Sequence, residues 1–370
     1  MVKGLCYNNI MFFSFFKNTF KPKSILGVDI GTTSIKIVEL EKGNEKPKLV
    51  NYGILETSGY LERFNTAIQT SSLNIFDQEV VNYLKILLRK GNFRGRDAVA
   101  SLSTFSVFTT LVEMPVMSEE DTRKTMAVHV KQYVPLPLAS VTLDWLKVGE
   151  RADAEGRKKQ QLFLIAIPTG LIESYRRIFS AAGLNLLALE VEGLSIARIL
   201  SANNPETVLM VDIGSRSTAL LVAKNGMLKF SGQTDFSGAS LTQSLASGLN
   251  IAVRRAEMLK KQKGLSTMGG GAERELSTQI LPILDVIISE VRRVKDNYEI
   301  NYQDPVKTII LTGGGANLLG IEKYFSQQLG LPVSKADSLS VVDYQTSIEP
   351  ARGELGPNLT VAVGLALRGL

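Results

Sequence analysis

The chain has 370 residues, 44% hydrophobic and 21% charged, a balance that excludes a disordered or fibrous polymer and leaves room for more than one core. Its net charge of +6 comes from basic residues interleaved with acids, so "GRKKQ" and "VRRAEMLKKQK" read as solvated faces and no nucleic acid is expected as a partner. One cysteine, Cys6, and one histidine, His129, exclude an internal disulfide and a Cys/His metal cluster, and they fit a reducing cytoplasm.

No run reaches the roughly 20 apolar residues of a membrane span. Residues 1–23 carry Phe12, Phe13, Phe16 and Phe20 at helical spacing, flanked by Lys17, Lys21 and Lys23. Two readings of this stretch stand: a disordered or mis-started N-terminus, or a peripheral membrane segment. "SILGVDIGTTSIKIVEL" follows as two strands around a tight turn, then "KLVNYGILETSG" as a strand, "DQEVVNYLKILLRKG" as a helix and "AVASLS" as a strand. From 106 to 189 the order strand, helix, strand, strand, helix, strand reads as an inserted α/β unit, with Ser118 and Thr169 as helix N-caps. "TVLMVDIGSRSTALLV" repeats the opening pattern, which predicts two similar domains. A basic helix "AVRRAEMLKKQKG", a glycine-rich loop at Gly269–Gly271, a long helix and "TIILTGGGANLLG" complete the chain.

A buried strand that ends in aspartate brings its carboxylate to the sheet edge, where charge must be solvated or paired. Glycine after it permits close backbone approach, and the turn's N–H groups and hydroxyls can bond phosphate oxygens. Two such hairpins facing each other can clamp a triphosphate, with Asp29 and Asp212 holding a hydrated Mg²⁺. The triple glycine after "TIILT" lets a ribose or flat ring lie against the backbone.

These three motifs, in this order, resemble the actin and sugar-kinase superfamily, and the inserted unit resembles that of FtsA-type proteins. From Ser24 to Leu370, including "AEMLKKQKG", "VRRVKDNYEIN" and "VAVGLALRGL", the chain is most similar to the PilM family of type IV pilus assembly. The resemblance implies an α/β, actin-like (ribonuclease H-like) fold of duplicated domains with an inserted 1C subdomain. Its implied parts are 1A at 24–105 and 190–204, 1C at 106–189, 2A at 205–250 and 305–370, and 2B at 251–304. Asp29, Gly31, Thr32, Thr33, Ser34 and Lys36 would form the first phosphate hairpin, and Asp212, Gly214, Ser215, Arg216 and Ser217 the second. Arg216 replaces a smaller residue common at its position. Gly313, Gly314, Gly315 and Asn317 would border the adenosine, and Glu257 with Lys260 would close the base pocket.

The implied cofactors are ATP and Mg²⁺, and the implied location is the inner face of the cytoplasmic membrane. The implied partners are the cytoplasmic tail of a PilN-like membrane protein, the pilus platform with its motor ATPases, and further copies of the chain. "TTLVEMPVM", Met126, Val130 and Tyr133 are candidates for the wall of the tail groove. Hydrolysis needs a group that positions water, and Glu190 and Glu192 are the candidates near the cleft. Two alternatives remain: an FtsA-like polymerising division protein, and a dedicated ATPase or small-molecule kinase. FtsA-type proteins carry a membrane-binding helix after a C-terminal linker, whereas this sequence stops at "LALRGL", which favours the scaffold.

Overall fold

The structure is a computed structural model that describes residues 23–56, 77–152, 155–265 and 271–370. The phenylalanine-rich segment and residues 269–270 of the glycine-rich loop lie outside the described residues.

The first half contains β1 (Ser24–Ile30), β2 (Ser34–Glu41), β3 (Lys48–Glu56), α1 (Asp77–Lys90) and β4 (Asp97–Leu102). β5 (Phe108–Pro115), α2 (Glu119–His129), β6 (Val141–Ala152) and β7 (Lys158–Pro168) follow, then α3 (Thr169–Ala182), β8 (Asn185–Val191) and α4 (Glu192–Leu200). The second half contains β9 (Thr207–Ile213), β10 (Thr218–Lys224), β11 (Met227–Thr234), α5 (Gly238–Gly248), α6 (Val253–Lys263) and α7 (Gly271–Tyr302). β12 (Val306–Thr312), α8 (Ile321–Leu329), β13 (Val333–Lys335) and α9 (Arg352–Gly369) close the chain.

Two sheets share one topology, β3-β2-β1-β4-β8 and β11-β10-β9-β12-β13. In each, an antiparallel hairpin supplies the central strand, and that strand pairs in parallel with the next one in the sheet. β1 and β9 are almost continuously buried because helices cover both of their faces.

The halves exchange helices. α4 leaves the first sheet and packs on β10 and β11, while α9 leaves the second and packs on β1, β2 and β4. α9 lies close because Gly27 and Gly364 carry no Cβ: one on Gly27 would sit 1.8 Å from Ala362 O, and one on Gly364 2.4 Å from Ser195 O. One apolar core therefore joins both sheets, with Val28, Ile196, Met210, Leu221 and Ala362 in the same cluster. α5, α7 and α8 cover the other face of the second sheet with a core of their own.

The inserted unit is a three-stranded antiparallel sheet, β5-β7-β6, with α2. β7 alternates: Leu162, Leu164 and Ala166 face α2, while Phe163, Ile165 and Ile167 join the large core. The insertion ends earlier than the sequence pattern suggests. β8 pairs with β4 from Asp97↔Asn185 to Leu102↔Val191, and Ile172, Ile178 and Phe179 of α3 join the large core. α2 packs on one face of the insertion's sheet, and α3 buries its apolar stripe in the large core with the first domain.

Ser118 caps α2 as expected, accepting from Asp121 N at 3.1 Å. Thr169 is instead the first residue of α3, and Pro168 holds the cap position without a side-chain bond. Met126 and Val130 are 1% exposed and fill the insertion's core, so neither is free to line a groove.

Candidate functional site

Both hairpins end in the same turn. Gly31 N donates to Ser34 O and Gly214 N to Ser217 O, each at 3.0 Å. A Cβ would stand 3.1 Å from Ser34 O in the first turn and 2.9 Å from Ser217 O in the second, which explains glycine at both places. The side chains of Thr32, Thr33, Ser34, Ser215 and Ser217 make no hydrogen bond among the described residues. Two turns thus present uncommitted hydroxyls.

Below the turns lies a group of charges. Asp29 is 4% exposed. Its Oδ2 meets Lys36 Nζ at 3.0 Å and its Oδ1 accepts from Ser101 Oγ at 3.0 Å. Burial pulls Lys36 down, but the carboxylates of Asp29, Asp212 and Glu192 outweigh it and hold the ammonium above the usual lysine range. No side chain among the described residues hydrogen-bonds the Asp212 carboxylate. Burial pushes its pKa up to about 6, with repulsion from Asp29 adding to the shift and Lys36 opposing it. Burial also drives Glu192 well above the ordinary carboxylate range, and Asp29 and Asp212 push the same way.

The two glutamates separate. Glu190 is 1% exposed and receives Arg198 Nη1 at 2.8 Å and Nη2 at 2.7 Å, with Arg368 Nη1 3.3 Å away. Both its oxygens are held in a buried ion-pair cluster. Glu192 instead feels Asp29, Asp212 and Lys36.

The glycine-rich turn abuts the second hairpin. Gly313 has φ +78°, and a Cβ there would lie 2.3 Å from Asp212 Oδ1; one on Gly315 would meet Ile213 at 2.3 Å. Gly314 is exposed. Asn317 Nδ2 donates to Glu354 O at 3.1 Å, which ties the turn to the start of α9. Lys260 Nζ meets Glu257 at 2.7 Å and donates to Gly238 O at 2.8 Å and Thr242 Oγ1 at 2.7 Å. Gly238 N in turn donates to Gly214 O at 2.9 Å, so the Glu257–Lys260 pair is fixed beside the second hairpin. Burial opposes ionisation of Glu257, but Lys260 overcomes it and holds the carboxyl below its ordinary range. Across the cleft, Lys261 on α6 pairs with Glu56 at the end of β3 at 3.2 Å.

Sequence reasoning missed Ser101, Thr242 and Gly238. The one serine within the apolar strand "DAVASL" was the available signal for Ser101; the other two carry none that is local. No group of three or more His, Cys, Asp or Glu among the described residues can hold a metal by itself. The carboxylates present would suit a hydrated Mg²⁺ only if its remaining ligands came from phosphate and water.

Two sheets of one topology, each with an aspartate-glycine hairpin at the shared cleft, define an actin-like fold of duplicated domains with an inserted 1C-type subdomain. The family model described as type IV pilus assembly protein PilM matches residues 27–370, and the chain belongs to that family. Cell division protein FtsA of Enterococcus hirae is 22% identical, covering 89% of this chain and 84% of that protein. FtsA of Bacillus subtilis (strain 168) is 21% identical over 80% of this chain and 74% of that protein. Among solved structures, the PilM-PilN type IV pilus biogenesis complex gives a TM-score of 0.80 at 23% identity, covering 94% of this chain and 99% of that chain. MreB 5 of Spiroplasma citri bound to AMPPNP gives 0.53 at 14% identity, over 92% and 94%. These likenesses in structure speak to the fold. No helix among the described residues is long and apolar enough to cross a membrane.

Proposed function

We propose that this actin-like pilus assembly protein is an ATP-binding scaffold at the cytoplasmic face of the inner membrane. It holds Mg-ATP between its two hairpins and docks the cytoplasmic tail of a PilN-like membrane protein. The observation that carries the nucleotide reading is the repeated turn, with matching Gly–Ser bonds of 3.0 Å and uncommitted hydroxyls on both sides of one cleft. The AMPPNP-bound relative of the same fold supports it. Thr32, Thr33, Ser34, Ser215, Arg216 and Ser217 meet the phosphates, Lys36 adds charge through Asp29, and Asp212 holds the hydrated Mg²⁺, which would neutralise phosphate charge. Gly313, Gly314 and Gly315 leave room for the adenosine, and Glu257 and Lys260 border it. Glu192, not Glu190, is the carboxyl placed to orient a water at the terminal phosphate, which allows a slow ATPase activity.

The PilM-PilN complex of the same fold supports the tail as partner. A groove between the first domain and the insertion is the proposed dock, and within the candidate segment "TTLVEMPVM" Val116 is exposed. The platform's motor ATPases and further copies of the chain are additional proposed partners.

Calorimetry with Mg-ATP tests the nucleotide reading: Asp212→Ala should weaken binding by about 1.5–3 kcal/mol with the fold intact. Unchanged affinity would reject it. The FtsA relatives support a second reading, a polymerising protein, and ATP-dependent pelleting on ultracentrifugation would favour that one.

A further inference from the structure

Arg216, in the second hairpin turn, reaches across the cleft. Its Cζ lies 5.5 Å from the centroid of the Phe105 ring. Phe105 belongs to the short 3-10 turn Thr104–Ser106, which joins β4 of the first sheet to β5 of the insertion. Its ring is 53% exposed, so packing does not hold it there. Arg216 has no ion pair or hydrogen bond among the described residues, which leaves the ring as its contact. The backbone of the same turn favours the ionised form of Glu192, the weakest of the influences on that carboxyl. Thr104 Oγ1 is buried with no hydrogen-bond partner among the described residues, a state that costs free energy.

We propose that Phe105 and Arg216 form a latch that tells a nucleoside triphosphate from a diphosphate, with the terminal phosphate drawing the guanidinium off the ring. This rests on the nucleotide reading above and deepens it. A partly exposed cation–π contact is weaker than a charge-assisted, bidentate bond between guanidinium and phosphate, so a phosphate within reach wins the competition. A diphosphate ends one group short and leaves the pair in place. Phe105 is then a positioning residue, and its release frees the turn that leads into β5. Nucleotide state would reach the insertion through those few residues.

Calorimetry with Mg-AMPPNP and Mg-ADP on the full chain, Arg216→Gln and Phe105→Leu tests the latch. Arg216→Gln should weaken AMPPNP about tenfold and leave ADP within about twofold, as expected for loss of one charge-assisted bond to the terminal phosphate. Phe105→Leu removes the competing ring and should tighten AMPPNP about threefold to fivefold with ADP unchanged. Opposite changes in the AMPPNP/ADP ratio support the latch. Equal changes for both nucleotides, or no change in the ratio, overturn it. Failure of the unaltered chain to bind either nucleotide would instead reject the nucleotide reading itself. The single tryptophan, Trp145 on β6, gives an independent readout. AMPPNP should change its fluorescence in the unaltered chain and not in Arg216→Gln, and an equal response in both counts against the latch.

Discussion

The two hairpins share a backbone and differ in what surrounds the aspartate. In β2, the residue opposite Asp29 is Lys36; in β10, the residue opposite Asp212 is Ala219. Ser101, which follows the parallel partner of Val28, gives its hydroxyl to Asp29. Thr312, paired with Asp212, turns its hydroxyl to Thr360 Oγ1 at 2.9 Å and Pro357 O at 3.1 Å instead. One carboxylate is therefore locked into a buried pair, and the other is left raised and available. Duplication preserved the turn, while cross-strand neighbours gave its two copies different electrostatics.

The largest expected effect comes from breaking the locked side. Asp29→Ala leaves Lys36 buried without its partner and should destabilise the fold by about 3–5 kcal/mol in urea unfolding. The double variant Asp29→Leu/Lys36→Met should recover most of that loss; no recovery would mean that the pair is not the cause. A similar contrast exists at the start of α4. Glu190→Gln strips the charge from a site shared by Arg198 and Arg368 and should cost about 2–3 kcal/mol, whereas Glu192→Gln should cost little stability and act on turnover alone. Equal melting temperatures for the two variants would erase this distinction.

Asp212→Asn should have the opposite sign to Asp29→Ala. The shift from 3.8 to about 6 corresponds to about 3 kcal/mol of cost at neutral pH, which partial exposure reduces to about 1–2 kcal/mol. The variant should be more stable than the parent by that amount while losing the Mg²⁺-dependent part of nucleotide affinity, the trade-off expected at a binding site. A less stable variant would contradict the contrast between the two hairpins.

The pH dependence gives the smallest effect. Because Asp212 binds its proton more tightly in the folded chain, its contribution to stability is full below the unfolded value of 3.8 and is lost as pH rises through about 6. A bound cation favours the ionised form, so Mg-ATP affinity should rise over the same interval. Calorimetry in buffers of different ionisation enthalpy should show proton release near pH 6 that Asp212→Asn removes.

Much of the cleft was legible because its signals are local. An apolar run, Asp, Gly and hydroxyls within a few residues specify the turn wherever it stands, and two copies specify two domains. Capping of α2 by Ser118 is local in the same way. The end of the insertion was not legible, since the apolar stripe of α3 could cover either sheet and only tertiary packing brings it into the large core. Nor could the sequence separate Glu190 from Glu192. Two positions apart in a strand they would share a face, but β8 ends at Val191 and α4 begins at Glu192, so the change of backbone geometry turns them to different surroundings.

The amino-acid order alone thus determined the repeated hairpins, the glycine-rich turn and the alternation of strands and helices, because each depends on backbone preferences and apolar spacing over a few residues. Which carboxylate is neutralised, which is free and which residue faces Arg216 depend on groups far apart in the chain: Asp29 with Ser101, Gly313 with Asp212, Phe105 with Arg216. Only the packed arrangement of the two sheets brings those groups within a few ångströms, where removal from water makes their charges and hydrogen bonds strong enough to matter.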